Sequence, residues 1–122
     1  MPLLYVMLGG ALGSGARFLV GRAALAWLGA GFPWGTLAVN VLGGFLMGAL
    51  YSLTDRAGVA EGWRLFLGVG LLGGFTTFSA FSLDTVELMQ RGAFSPALTY
   101  VAASVLGACL ALWAGLAMGR IA

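Results

Sequence analysis

The chain has 122 residues, 61% of them hydrophobic and 8% charged, with no histidine and a formal net charge of +2. That composition describes a one-domain membrane protein. A charge of +2 is too small to point to nucleic acid, so partners are expected from membrane lipid, a small ion or a second copy of the chain.

Uncharged runs at 1–16, 23–54, 65–83 and 92–119 are long enough to cross a hydrocarbon core as helices of about 20 residues. They predict four transmembrane helices, at about residues 3–28, 36–54, 64–89 and 96–118. The N-terminus lacks the basic opening and small-residue cleavage site of a signal peptide, so the first run is expected to stay as a membrane helix. Gly9 and Gly13 give the first helix a small spacing that admits a neighbour closely. Arg22 is expected to snorkel to a headgroup region. Arg17 lies deeper and either snorkels, makes a structural hydrogen bond, or draws an anion toward a vestibule. Gly31-Phe-Pro-Trp-Gly35 is the turn that follows, with Pro33 ending one element and Trp34 suited to the interface belt.

In the second helix Thr36 and Asn40 share a face, and Gly44 and Gly48 repeat the small spacing. An asparagine at that depth either joins two helices or offers its amide donors to a ligand. Asp55, Arg56, Glu61 and Arg64 crowd a solvated loop. The third run departs from an ordinary apolar helix. Gly73-Gly74 followed by Thr76-Thr77 is poor helix-forming sequence, which predicts a break in mid-membrane with polar groups that need partners. Carbonyls freed between Gly73 and Thr76 suit a cation such as sodium, as unwound helix ends do elsewhere. Beyond the break, Phe78 and Phe81 are three apart with Ser79 and Ser82 beside them, a pattern read either as core packing or as a lining for a dehydrated ion. Asp84 and Glu87 fall at the far rim. Ser95-Pro96 starts the fourth helix, which carries Tyr100 and Ser104 on one face, a lone Cys109 as small packing, and Gly115 and Gly119.

Three arginines (56, 64, 120) fall on one side of the predicted topology and three (17, 22, 91) on the other. Orientation follows an excess of basic residues, so this tie predicts copies inserted both ways and an antiparallel, dual-topology homodimer. Enzymatic chemistry finds no histidine, no base beside the cysteine and no metal-ligand spacing. A proton-coupled exporter needs an acid inside the membrane, and the first 54 residues contain none. That counts against a small dual-topology multidrug exporter, the alternative of similar size. Aromatic ring edges and amide or hydroxyl donors instead suit a small anion.

Gly13-Ser-Gly-Ala-Arg17, Gly35-Thr-Leu-Ala-Val-Asn40 and Gly73-Gly-Phe-Thr-Thr-Phe-Ser-Ala-Phe-Ser82 together resemble the Fluc (CrcB) family of bacterial fluoride channels. The resemblance implies an antiparallel homodimer in the bacterial inner membrane with two pores that let cytoplasmic fluoride leave passively. It further implies an anion pathway of Asn40, Phe78, Phe81, Ser79, Ser82, Tyr100 and Ser104, with Arg17 matching the family's first-helix arginine. The backbone carbonyls of Gly73 and Thr76 would hold a structural sodium ion at the dimer centre. Ala80 and Asp84 depart from the family's usual threonine and glutamate.

Overall fold

The computed structural model describes residues 1–121, apart from the side chains of Arg56 and Ala57; Arg56, counted in the charge balance, lies outside that description. Among the described residues the regular structure is helical: α1 Pro2–Leu28, α2 Trp34–Ala57, α3 Glu61–Arg64, a π-helical segment Leu65–Leu72, α4 Gly73–Phe75, α5 Phe78–Gln90 and α6 Phe94–Ile121. The stretch Glu61–Gln90 acts as one span, so four helical stretches are long and apolar enough to cross a membrane.

Each connection turns on a glycine with positive φ: Gly29 at 80°, Gly58 at 62° and Gly92 at 78°. The start of α6 precedes the expected proline by two residues, because the Ala97 N–H bonds to the Ala93 carbonyl (3.0 Å) and Pro96 sits in a first turn where no donor is required. Similarly, α2 starts at Trp34, directly after Pro33.

Glycine faces inward and leucine outward. Leu3, Leu4, Leu8, Leu12 and Leu19 of α1 are exposed, whereas Gly9 and Gly13 are buried. A β-carbon on Gly9 would collide with the Phe66 carbonyl, and one on Gly13 with the Leu71 carbonyl; from the other side, one on Gly74 would lie 2.7 Å from the Gly10 carbonyl oxygen. Thus α1 and the third span meet backbone to backbone. The pairing of α2 with α6 follows the same rule: a β-carbon on Gly44 would lie 2.8 Å from the Ala108 carbonyl oxygen, and one on Gly48 or Gly115 would strike the Leu112 or Phe45 carbonyl. In lipid, where apolar side chains gain little by leaving one another's company, such close approach is what holds helices together.

The third span departs from a regular α-helix twice. Leu65–Leu72 is wound as a π-helix, with Gly68 and Gly70 buried inside it. Further on, Thr76 (φ −87°, ψ 157°) and Thr77 (φ −153°, ψ 121°) are extended. Gly73 and Gly74, expected to unwind, remain helical. The missing side chain of Gly74 serves the contact with α1, Gly73 is exposed, and the interruption falls on the two threonines after them.

Candidate functional site

The interruption is held by groups from two other helices. Asn40 of α2 pairs with Thr77 at both ends of its amide: Nδ2 donates to the Thr77 carbonyl (3.0 Å), and the Thr77 N–H donates to Oδ1 (2.8 Å). Arg17 of α1 donates from Nε to the Gly74 carbonyl (3.1 Å), which has lost its helical donor. The Thr76 hydroxyl and its N–H both donate to the Leu72 carbonyl, each at 3.0 Å. Thr77 then starts α5 as its N-cap, its hydroxyl accepting from the Ala80 N–H at 3.1 Å. The carbonyls of Gly73 and Thr76 accept no hydrogen bond among the described residues.

A groove of about 420 Å³ opens beside this junction. Asn40, Thr76, Thr77, Phe78, Phe81 and Ser104 line it, with Met47, Cys109 and glycine or aliphatic residues of α2 and α6, and no carboxylate. Phe78 is 77% exposed, and its ring centroid lies 5.6 Å from that of Phe81 at 45°. The aromatic row continues inward through Tyr100, 5.2 Å from Phe81, to Phe32, which meets Tyr100 edge-on at 5.5 Å. Tyr100 is fully buried and donates its hydroxyl to Asp84 Oδ2 at 3.1 Å. Ser104, 7% exposed, has a buried hydroxyl with no partner among the described residues. A buried polar group in that state costs about 1–3 kcal/mol unless something binds it.

Residues 4–116 match the family described as CrcB-like protein, Camphor Resistance (CrcB). The fluoride-specific ion channel FluC of Caulobacter vibrioides (strain NA1000 / CB15N) is 56% identical over 120 residues, covering 97% of this chain and 94% of the relative. FluC of Sphingopyxis alaskensis is 55% identical over 119 residues, covering 97% and 94%, and FluC of Magnetococcus marinus is 51% identical over 122 residues, covering 99% of each. The chain belongs to the CrcB-like family.

Of the residues that sequence reasoning nominated in this CrcB-like chain, Asn40, Phe78, Phe81 and Ser104 share the groove, and Thr76 borders it. Tyr100 stands behind Phe81 with its hydroxyl engaged by Asp84. Ser79 and Ser82 lie outside the lining: the Ser79 hydroxyl is 3.2 Å from that of Thr77, and the Ser82 hydroxyl donates to the Phe78 carbonyl at 3.0 Å. Arg17 faces a second groove on the α1 side of the junction. Gly73 stays helical beside Gly68.

Thr77 and Asp84 carry more than sequence reasoning gave them. A threonine three residues before Ala80 in a resumed helix was a readable capping signal. The pairing of Asp84 with Tyr100 had none, because sixteen residues and a turn separate them.

Proposed function

We propose that this chain conducts fluoride passively across the bacterial cytoplasmic membrane and so lowers its toxicity inside the cell. The naming of relatives at 51–56% identity as fluoride-specific channels supports this, since the likeness covers nearly the whole chain. The observation that carries the reading at the level of residues is the groove beside Thr77. There an unpartnered Ser104 hydroxyl, the Asn40 amide and the rings of Phe78 and Phe81 face one space that no carboxylate enters.

A small anion loses a strongly held hydration shell on entering such a space. Asn40 uses one N–H on Thr77 and retains a second, and Ser104 retains its hydroxyl proton, so both can donate to the ion. The positive ring edges of Phe78 and Phe81 attract it without a strong bond, which keeps the site shallow enough to leave. Tyr100 and Asp84 fix the position of the Phe81 ring from behind. Ser79 and Ser82, outside the lining within one copy, would add hydroxyls on α5 where a second copy closes the pathway.

The pathway is completed by a second copy inserted upside down, an arrangement supported by the tie in arginine count and by the exposure of Phe78. In that antiparallel homodimer the interruption lies in mid-membrane. The Gly73 and Thr76 carbonyls, without hydrogen-bond partners, are hard oxygen donors of the kind that hold sodium. Two such groups from each copy would bind it, and the ion would supply fixed positive charge that offsets the carbonyl dipoles.

Purified protein in liposomes loaded with fluoride and chloride should release fluoride to an ion-selective electrode while chloride stays inside. Equal passage of the two ions ends the selectivity claim. Phe81→Ile should abolish most of the flux without changing elution as a dimer. Dialysis into sodium-free buffer should loosen the dimer or lower the flux, and indifference to it removes the sodium site.

A further inference from the structure

The junction has a second face. On the α1 side a groove of about 300 Å³ reaches Thr77 and Ala80, and its walls include Arg17, Arg22, Phe18 and Thr36. Both guanidinium-bearing residues of α1 therefore border one space, with no carboxylate among the lining residues. They are held differently. Arg17 is tethered by its Nε to the Gly74 carbonyl and is half-buried. Arg22 is exposed and lies with its guanidinium carbon 5.9 Å from the centroid of the Phe18 ring, an arrangement that restrains the side chain without neutralising it.

The acids Asp84 and Glu87 line a neighbouring groove rather than this one. Gly21 and Gly35 meet there so closely that a β-carbon on Gly35 would sit 3.0 Å from the Gly21 α-carbon. Beyond that contact an adjoining groove of about 240 Å³, which shares Gly21, Leu25, Gly35 and Thr36 with the first, is lined by Asp84, Glu87 and Arg91. Asp84 already accepts from Tyr100, and Arg91 lines the same groove as Glu87. The walls of the α1 groove itself thus carry positive charge and no carboxylate, in a cleft with low-dielectric walls that concentrate the field.

We infer that Arg22 collects the permeant anion: it raises the anion's local concentration in the α1 groove ahead of Thr77, without binding it as a ligand. This rests on the fluoride reading above and adds to it a residue outside the motifs that support that reading. An ordinary snorkelling arginine would serve packing or a headgroup, and its removal would not be felt through salt.

The test compares wild type, Arg22→Gln and Arg22→Lys in vesicles of phosphatidylcholine, by initial fluoride flux at ionic strengths of about 0.01 M and about 1 M, where the screening length falls from about 30 Å to about 3 Å. Arg22→Gln should conduct about threefold more slowly at low salt, the weight of one unit charge about 6 Å away in water, and should match wild type at high salt. Arg22→Lys should restore the low-salt rate. Equal rates for wild type and the glutamine variant at low salt overturn the inference. A deficit that persists at high salt, or that lysine fails to repair, also overturns it, because either result makes the role one of packing against Phe18. Absence of fluoride release from wild type at both salts defeats the channel reading itself and is told apart by that.

Discussion

The two glycine seams of this molecule are alike in chemistry and different in outcome. Along α2 and α6, Gly44, Gly48, Gly115 and Gly119 bring two helices to backbone contact, and both helices run through unbroken. Along α1 and the third span, Gly9, Gly13, Gly70 and Gly74 do the same, yet the span winds as a π-helix and then opens at Thr76 and Thr77. Close approach alone therefore does not interrupt a helix. The second seam differs in what lies at its end: a threonine able to cap a new helix, and Asn40 and Arg17 positioned to take the backbone groups that the interruption frees. In a membrane an unpaired amide or carbonyl has no water to turn to, so the interruption exists only because those side chains are there.

This contrast can be broken in graded steps. Gly48→Val and Gly13→Val each place side-chain atoms where the opposite backbone stands, so both should cost more than the about 1–3 kcal/mol of ordinary overpacking and remove the monodisperse protein from size-exclusion profiles. Either variant eluting and melting like wild type would show that its seam can separate without penalty. Asn40→Ala should lower stability by about 2–4 kcal/mol, since both the N–H and the carbonyl of Thr77 lose their partner, and should abolish flux. Thermal melting in detergent reads this, and an unchanged melting point would reduce the difference between the seams to packing. Thr77→Val removes the cap oxygen that Ala80 uses while keeping the side-chain shape; a loss of about 1 kcal/mol is expected, with Thr77→Ser restoring most of it. The smallest effect belongs to Gly15→Ala. Nothing lies within 4 Å of a β-carbon there, so helix propensity should dominate and stability should rise by about 0.5–1 kcal/mol in the same melting assay.

Much of the fold was legible because charge is so scarce. Four uncharged runs become four helical stretches, and the small spacings at Gly9–Gly13, Gly44–Gly48 and Gly115–Gly119 mark surfaces that meet another backbone. Which surface meets which was not legible, because a pair of glycines says only that something comes close. The π-winding of Leu65–Leu72 left no trace either; its eight residues, which pack against α1, read like any apolar helix. At the candidate site, Asn40, Phe78 and Phe81 stood out by type in an apolar setting. Their geometry came from pairings across the chain, Asn40 with Thr77 over 37 residues and Tyr100 with Asp84 over 16, that no local periodicity encodes. The same limit explains Gly73 and Gly74: their sequence signals a weak helix, yet both stay helical, and at Gly74 the absent side chain serves contact with Gly10 instead.

Both seams join a helix made before Gly58 to one made after it. Synthesis from the N-terminus therefore delivers α1 and α2 into the bilayer before either has met its matching surface, and the first half of the protein waits for the second. Gly58 itself is an exposed left-handed turn residue with nothing within 4 Å of a β-carbon. A gene divided at that point would yield two helical hairpins, each carrying one side of both seams, and co-expressed in one membrane they hold all the information needed to find each other.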